Sequence, residues 1–328
     1  MQLSGLDLTP LRQAMKDDPD VREFIVRDSK ALGSPSRDML VREALHARGI
    51  FSNSGPTRSI YRDSSSFAFT GSALLLEISS APVASALAKN GAFLNNPFAR
   101  IRHSYRSSAK RVWADWETVE KDARLMHRVH ERIGDAAMQT DSLKWVWAAM
   151  TSSVLNHARW LSSHSQSAQE DVYQEYKRVA YTVGLKPHDL PATLKDYEGY
   201  VEETLDSVEL TDDSHRLARS ILAALPAVGT DTWGETPHGR SVLSTITSAM
   251  IPQPLKSAYN ERLPAQLRLN EPTPSELLSS LRWVRRYGAG DIHRGYAAEA
   301  RQRIRTFFDE KGREEHMTGI RHALTADL

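Results

Sequence analysis

The chain has 328 residues, of which 40% are hydrophobic and 25% charged, so it is long enough to bury a large core. Its 42 Lys and Arg residues balance 41 Asp and Glu residues, and the formal net charge of +1 does not indicate a nucleic-acid-binding or membrane-surface protein. Because the chain has no cysteine, disulfides, cysteine-held iron–sulfur clusters and thiolate ligation of iron are excluded.

The first twenty residues contain no charged segment followed by an apolar run, which a signal peptide requires. No stretch approaches the roughly eighteen apolar residues of a membrane-spanning helix. We therefore expect neither a signal peptide nor a membrane span. The absence of cysteine fits a reducing cytosol, so the expected localisation is cytoplasmic.

Apolar residues recur at helical spacing along most of the chain, whereas the alternation typical of strands is scarce. Near the N-terminus the sequence predicts a helix capped by Thr9 with Pro10 at its first position, helices over 19–30 and 38–48, and a serine-rich loop over 51–66. The further predicted helices are 67–79, 82–89, 97–110, 114–133, 141–163, 167–184, 191–205, 211–224, 239–250, 274–286 and 291–323. A turn-rich break is expected at 226–238. The predicted fold is all-α, a single globular multi-helix domain.

Two histidines stand out on the predicted helix over 114–133. His127 and His130 are three residues apart on a face that is otherwise mostly apolar, with Ala123, Met126 and Ile133. A buried neutral imidazole can give an axial nitrogen to a metal or to haem iron. A hydrogen-bonded histidine in the core is the structural alternative.

A polar cluster precedes this helix. After a turn at Asn95-Asn96-Pro97, the predicted helix over 97–110 carries Arg100, His103 and Ser104. These side chains could form the wall of a pocket opposite the histidines. For Arg100 the alternative is a surface ion pair.

Several segments, in the same order along the chain, resemble the family of the oxygenase MpaB and the latex-clearing proteins (rubber oxygenases). The segment GSALLLEISSAPVASALAKNGAFLNNPFARI resembles the first motif of that family, a Leu-rich helix followed by a proline restart and an Asn/Asp-Pro turn before an arginine helix. Later segments that resemble family motifs are His130-Glu131-Arg132-Ile133, Trp145-Val146-Trp147, Gly184-Leu185-Lys186-Pro187, Leu190-Pro191-Ala192-Thr193 and Ile251-Pro252-Gln253-Pro254-Leu255-Lys256.

The resemblance implies a haem b-dependent oxygenase, with His130 as the proximal ligand of the iron. His127, one turn away, is kept as an alternative ligand or as a neighbour of the haem. Arg100, His103 and Ser104 match the residues that the family places in the pocket, where they would orient oxygen or substrate. Here His103 stands where relatives carry Lys or Arg, and Ser104 stands where they carry Thr. The implied partners are a hydrophobic small molecule and O2 or peroxide.

The resemblance also implies a domain organisation. Residues 1–66 would form a helical N-terminal extension and loop, residues 67–265 the haem-binding core of the MpaB type, and residues 266–328 C-terminal helices that pack on the core. The oligomeric state does not follow from the sequence.

Trp147 departs from the family, whose motif has histidine at this position. The hypothesis is that Trp147 lines the substrate pocket, and the alternative is ordinary core packing. The loss of that histidine also keeps open a catalytically inactive scaffold or ligand-binding protein.

A non-haem metal site is the other enzymatic alternative. It would combine His127 and His130 with a carboxylate from another helix, such as Glu77 or Glu175. Nucleotide-binding glycine motifs, the nucleophile elbow of hydrolases and the His-Glu-x-x-His zinc motif are all absent.

Overall fold

The computed structural model describes residues 6–18, 22, 49–52, 55–62, 64–162, 164–233 and 237–287. Within these residues it contains fifteen α-helices, three short 3₁₀ helices and no strand. The prediction of an all-α fold is therefore confirmed.

The helices are named here in chain order. The first eight are α1 (Thr9–Lys16), α2 (Pro56–Ile60), α3 (Thr70–Glu77), α4 (Ala81–Asn90), α5 (Ala92–Asn95), α6 (Pro97–Trp113), α7 (Trp116–Ile133) and α8 (Asp135–Met138). The remaining seven are α9 (Thr140–Trp160), α10 (Gln166–Thr182), α11 (Leu194–Asp206), α12 (Asp212–Trp233), α13 (Pro237–Met250), α14 (Gln253–Asn260) and α15 (Pro274–Tyr287). The 3₁₀ helices are Ser64–Phe69, Pro187–Asp189 and Ala265–Leu267.

The two helices that carry the predicted site residues begin at side-chain caps. Asn96 accepts a hydrogen bond from the backbone N–H of Ala99 at the start of α6, and the rigid ring of Pro97 occupies the first helical position. Asp115 accepts one from the N–H of Thr118 at the start of α7. These caps satisfy N–H groups that have no partner inside the helix, and they fix the register in which α6 and α7 present their side chains.

Helix α3 lies at the centre of the core, because every residue from 71 to 76 is buried. It packs against α9, α12 and α13. At its C-terminal end the indole N–H of Trp145 donates to the carbonyl of Leu76 at 2.7 Å, and the hydroxyl of Tyr259 donates to the carbonyl of Leu75 at 2.7 Å. The last carbonyls of a helix lack intrahelical partners, so these two aromatic side chains satisfy backbone groups that would otherwise be buried without one.

Three helix starts differ from the sequence prediction. Helix α1 begins at Thr9 itself, so its N-cap is Leu8 and not Thr9, and the carboxylate of Asp7 accepts a hydrogen bond from the N–H of Thr9 at 2.9 Å. Helix α10 begins at Gln166, one residue before the predicted start at 167, and is capped by Ser165. The serine-rich segment predicted as a loop contains α2 and the beginning of a 3₁₀ helix.

The predicted break at Pro226 is wrong, since α12 continues through this residue to Trp233. Proline removes one backbone hydrogen bond and disfavours a helix interior. Here the preceding turns are fixed by packing, because Leu222, Ala224 and Leu225 are buried. Tertiary burial therefore overrides the local preference of proline.

The helices predicted over 19–30, 38–48 and 291–323 lie outside the described residues, apart from Arg22. Within the described part, no individual helix has both the length and the apolarity that a membrane span requires. The helix pair Ser65–Glu77 and Ala81–Lys89 meets these criteria only when taken together, and it is bent by 103°.

Candidate active site

Four helices enclose a cavity of about 170 Å³ next to the core. Each presents residues spaced three or four apart, so each contributes a single face. Helix α3 contributes Thr70, Ala73, Leu74 and Glu77, and α6 contributes Arg100, Ser104, Ser107, Ser108 and Arg111. Helix α7 contributes Met126 and His130, and α9 contributes Val146, Met150 and Ser153.

The α6 wall is hydrophilic and carries two arginines. Arg111 is buried, and its Nε donates to Asp122 of α7 at 2.7 Å. This ion pair ties α6 to α7 and orients one guanidinium at the cavity. Arg100 lies three turns earlier on the same face and is partly buried.

His130, in the last turn of α7, lines the same cavity. Desolvation by burial lowers the pKa of His130, and electrostatic interactions with Arg111, His127 and Arg100 lower it further. The imidazole is therefore neutral at neutral pH, and no hydrogen bond joins it to another described side chain. A neutral ring nitrogen with its lone pair free is the form that can bind a metal ion.

Glu77 brings a carboxyl group into the same cavity. Burial raises the pKa of Glu77 from 4.5 to about 7, and the charge of Arg100 lowers it in part. Near neutral pH this group is therefore divided between its acid and its carboxylate, so it can both donate and accept a hydrogen bond.

Tyrosine hydroxyls supply further polar groups. Tyr105 shares a hydrogen bond of 2.6 Å with Ser66, and both line the cavity. Burial raises the pKa of Tyr61 and of Tyr176, which line it as well. These phenols stay neutral in the physiological range and act as hydrogen-bond donors, not as anions.

The structure brings three of the predicted site residues together, namely Arg100, Ser104 and His130. His103 lies on α6 between the first two, and its side chain is outside the described part of the chain. Arg100 and Ser104 of α6 and His130 of α7 therefore border the same cavity.

His127 is not among the residues that line this cavity. Its Nε2 lies 3.5 Å from the carboxylate of Glu131, one turn along α7, and its Nδ1 is buried with no described partner. A helix turns about 100° per residue, so two residues three apart share a face but differ in direction by about 60°, and one can border a cavity while the other does not. Only His130 of the pair borders the cavity.

Trp147 also lies away from the cavity, although its neighbour Val146 lines it. Trp147 is 2% exposed, and its ring centroid lies 6.0 Å from that of Tyr173 and 5.9 Å from that of Tyr197. The structure thus places Trp147 in an aromatic cluster of the core.

The two carboxylates considered for a non-haem metal site have different surroundings. Glu77 lines the cavity with His130, whereas Glu175 accepts hydrogen bonds from the backbone N–H groups of Ser52 and Thr57 at 3.1 and 3.0 Å. Glu175 therefore fixes the segment around the start of α2. Among the described residues no group of three or more His, Asp or Glu side chains could hold a metal ion.

A second cavity, of about 380 Å³, lies on another side of α9. Its lining includes Ser152, Leu155, Tyr197, Val201 and Met250. It is the larger of the two, but none of the predicted site residues borders it. The convergence of His130, Glu77 and two arginines, and not size, identifies the first cavity as the candidate active site.

Sequence reasoning missed Arg111, Tyr61 and Tyr176. The first had a usable signal, since Arg111 continues the stripe of Arg100, Ser104 and Ser108 at helical spacing. The tyrosines had none, because each reaches the cavity from a segment distant in sequence.

The family model of the ER-bound oxygenase mpaB/B′ and rubber oxygenase catalytic domain matches residues 58–287. This span is more than half of the chain and contains every described residue of the cavity. No curated protein and no solved structure matches the chain.

Proposed function

We propose that this chain, which belongs to the ER-bound oxygenase mpaB/B′ and rubber oxygenase catalytic-domain family, binds one haem b. The haem would lie in the cavity lined by α3, α6, α7 and α9. Membership of the family gives the chain a general role as an oxygenase acting on a small molecule with O2. Haem dependence and His130 as the axial ligand are our inference.

One observation carries the proposal: His130 is a neutral, partly buried imidazole on the wall of a cavity that also holds two guanidinium groups. Haem iron needs a single axial nitrogen from the protein, in contrast to the several ligands of a non-haem site. The guanidinium of Arg111 is suited to a carboxylate of the haem propionates. The donor set therefore fits haem.

The volume of the cavity limits how haem can bind. The cavity of about 170 Å³ is smaller than the roughly 300–1,000 Å³ of pockets that enclose drug-sized ligands. A tetrapyrrole is a large ligand on this scale. Its binding must therefore widen the gap between the walls, and we expect α6 and α7 to separate.

Bound haem would supply the redox chemistry, and the protein would supply binding, orientation and electrostatics. His130 would hold the iron. Arg100 and the hydroxyl of Ser104 would orient oxygen or the polar part of a substrate, since fixed donors stabilise developing negative charge. The apolar side chains of Leu74, Met126, Val146 and Met150 would exclude water and contact a hydrophobic carbon skeleton.

The test is a titration of the purified full-length protein with haem, followed by its absorption spectrum and iron content. The expected result is a Soret band with one haem per chain. His130→Ala should lose most of the haem, and His127→Ala is the matched control, because His127 lies on the same helix but outside the cavity.

The outcomes separate the alternatives. Loss of haem in the His127 variant alone would assign the ligand to His127. A protein that takes up no haem but contains stoichiometric iron or another metal would be a non-haem oxygenase. A protein that takes up neither would not be a haem enzyme of this type.

A further inference from the structure

Glu77 is the one carboxyl group that the haem proposal leaves without a role. It is the last residue of α3, directly after six buried residues, and its side chain lines the cavity. No side-chain hydrogen bond or ion pair joins its carboxyl group to another described residue. Arg100 lines the same cavity, and its charge lowers the pKa of Glu77 in part.

This position is unfavourable for an ionised carboxyl group in two respects. Partial burial removes part of the water around the carboxyl group, and no described side chain supplies a hydrogen-bond donor in its place. The C-terminal end of a helix carries partial negative charge, which repels a carboxylate there. An ionised Glu77 in this position lowers the stability of the folded protein. Its placement at the cavity is explained if a ligand supplies the missing hydrogen-bond donor.

The surroundings restrict the chemistry of that donor. An ammonium group would be repelled by the guanidiniums of Arg100 and Arg111, which line the same cavity. An ionised carboxylate has no hydrogen-bond donor to offer Glu77. A pure hydrocarbon has no donor at all. An uncharged hydroxyl group satisfies all three conditions.

We propose that Glu77 binds a hydroxyl group of the substrate, and that the substrate is therefore an alcohol with an apolar carbon skeleton. The proposal rests on the proposed function only in taking this cavity as the substrate site. The alcohol O–H would donate to the Glu77 carboxylate, while the skeleton contacts Leu74 and Met150. Anchoring one end of the molecule in this way would determine which carbon atom is exposed to oxidation.

The experiment compares two probes that differ in one hydrogen-bond donor, geraniol and geranyl methyl ether. Both have the same ten-carbon skeleton and the same oxygen, but the ether cannot donate. Binding to the purified full-length protein is measured by calorimetry, first without added haem and then with it. The expected result is that the alcohol binds about tenfold or more tightly than the ether, as for a hydrogen bond to a charged group.

The variants locate this preference. Glu77→Leu should reduce it to within about twofold, and Glu77→Gln should keep a part of it, because the amide oxygen still accepts a hydrogen bond. Glu202→Leu, which removes an exposed carboxylate from the lining of the second cavity, is the matched control and should keep the preference of the parent.

Three results would overturn the proposal: equal binding of the two probes by the parent, no binding of either, or an unchanged preference in Glu77→Leu. If Glu77→Leu does not fold, the nearly isosteric Glu77→Gln decides, and its preference must fall. The haem spectrum is an independent readout. A missing Soret band with a preserved alcohol preference refutes haem binding alone, and the reverse pattern refutes the role of Glu77 alone.

Discussion

The indole nitrogen of Trp147 lies 3.5 Å from the backbone carbonyl oxygen of Tyr176, and the phenol of Tyr176 lines the cavity. Trp147 thus stands directly behind the cavity wall and supports it without reaching the interior. The family position occupied by Trp147 is in this way linked to the candidate site through packing.

Trp147→His should lower stability and leave the site chemistry intact. Removal of most of a buried indole leaves a cavity and a polar ring in the aromatic cluster, which costs about 3–5 kcal/mol. Thermal unfolding and chemical denaturation would measure the loss. The haem spectrum and the order of substrate preference should match those of the parent.

Val146→Ala is the matched variant, because Val146 is the adjacent residue and lines the cavity. It should change substrate preference with a smaller loss of stability. A Trp147 variant with parental stability and an altered substrate profile would show instead that the indole contacts substrate.

The contrast between Val146 and Trp147 shows which features of the site the sequence could predict and which it could not. Helical periodicity predicted α6, α7 and α9 and the alignment of Arg100 with Ser104. A motif match, however, does not define the rotation of a helix about its axis. One residue is a rotation of about 100°, which decides whether position 146 or position 147 faces the cavity.

The sequence also could not predict which distant segments converge on the cavity. Glu77 ends a helix that is apolar on every side, so its own sequence does not indicate which face meets a cavity. The direction of Glu77 depends on the packing of α3 against α9 and on the position of α6. Both are determined by contacts between residues far apart in sequence. For the same reason the predicted break at Pro226 failed, since burial around that residue was not visible locally.

Arg100→Ala should retain the helical fold and reduce turnover on the order of a hundredfold. The guanidinium is expected to act on developing negative charge, and the loss of one such electrostatic contact costs about 3 kcal/mol in the transition state. Steady-state kinetics would measure this, and circular dichroism would verify the fold. Arg132→Ala, an exposed arginine of α7, is the control and should have parental kinetics. Equal kinetics in the two variants would place Arg100 outside the reaction.

Gly71→Ala should destabilise the protein by about 1–3 kcal/mol through overpacking. A Cβ atom on Gly71 would overlap the hydroxyl oxygen of Thr247 and lie 3.2 Å from a methyl carbon of Leu225, so glycine permits the close approach of α3 to α12 and α13. Gly199→Ala is the matched change in α11, where a Cβ meets nothing within 4 Å. It should stabilise by up to about 1 kcal/mol, because alanine favours a helix. Urea denaturation of both variants checks the pair, and a stable Gly71→Ala would contradict the close packing.

The last prediction concerns the pH dependence of stability that Glu77 introduces. Its pKa is 4.5 in the unfolded chain and about 7 in the folded protein, so between these values the folded state retains a proton that the unfolded state has released. The contribution of the neutral acid to stability is complete below about pH 4.5 and is lost as the pH rises through about 7. Its size is on the order of 3 kcal/mol.

The other charged and titratable groups of the cavity determine how this must be measured. Arg100 and Arg111 are the guanidinium groups of the cavity, and burial raises the pKa of Tyr61 and of Tyr176, which keeps both phenols neutral. His130 titrates in an overlapping range with the opposite sign, because its lowered pKa removes stability as the pH falls below about 6.5. The informative quantity is therefore the difference in the free energy of unfolding between the parent and Glu77→Gln, in which the effect of His130 cancels. This difference should increase in favour of the variant from about pH 4.5 to about pH 8. Parallel stability curves over this range would show that Glu77 is not desolvated in the folded protein.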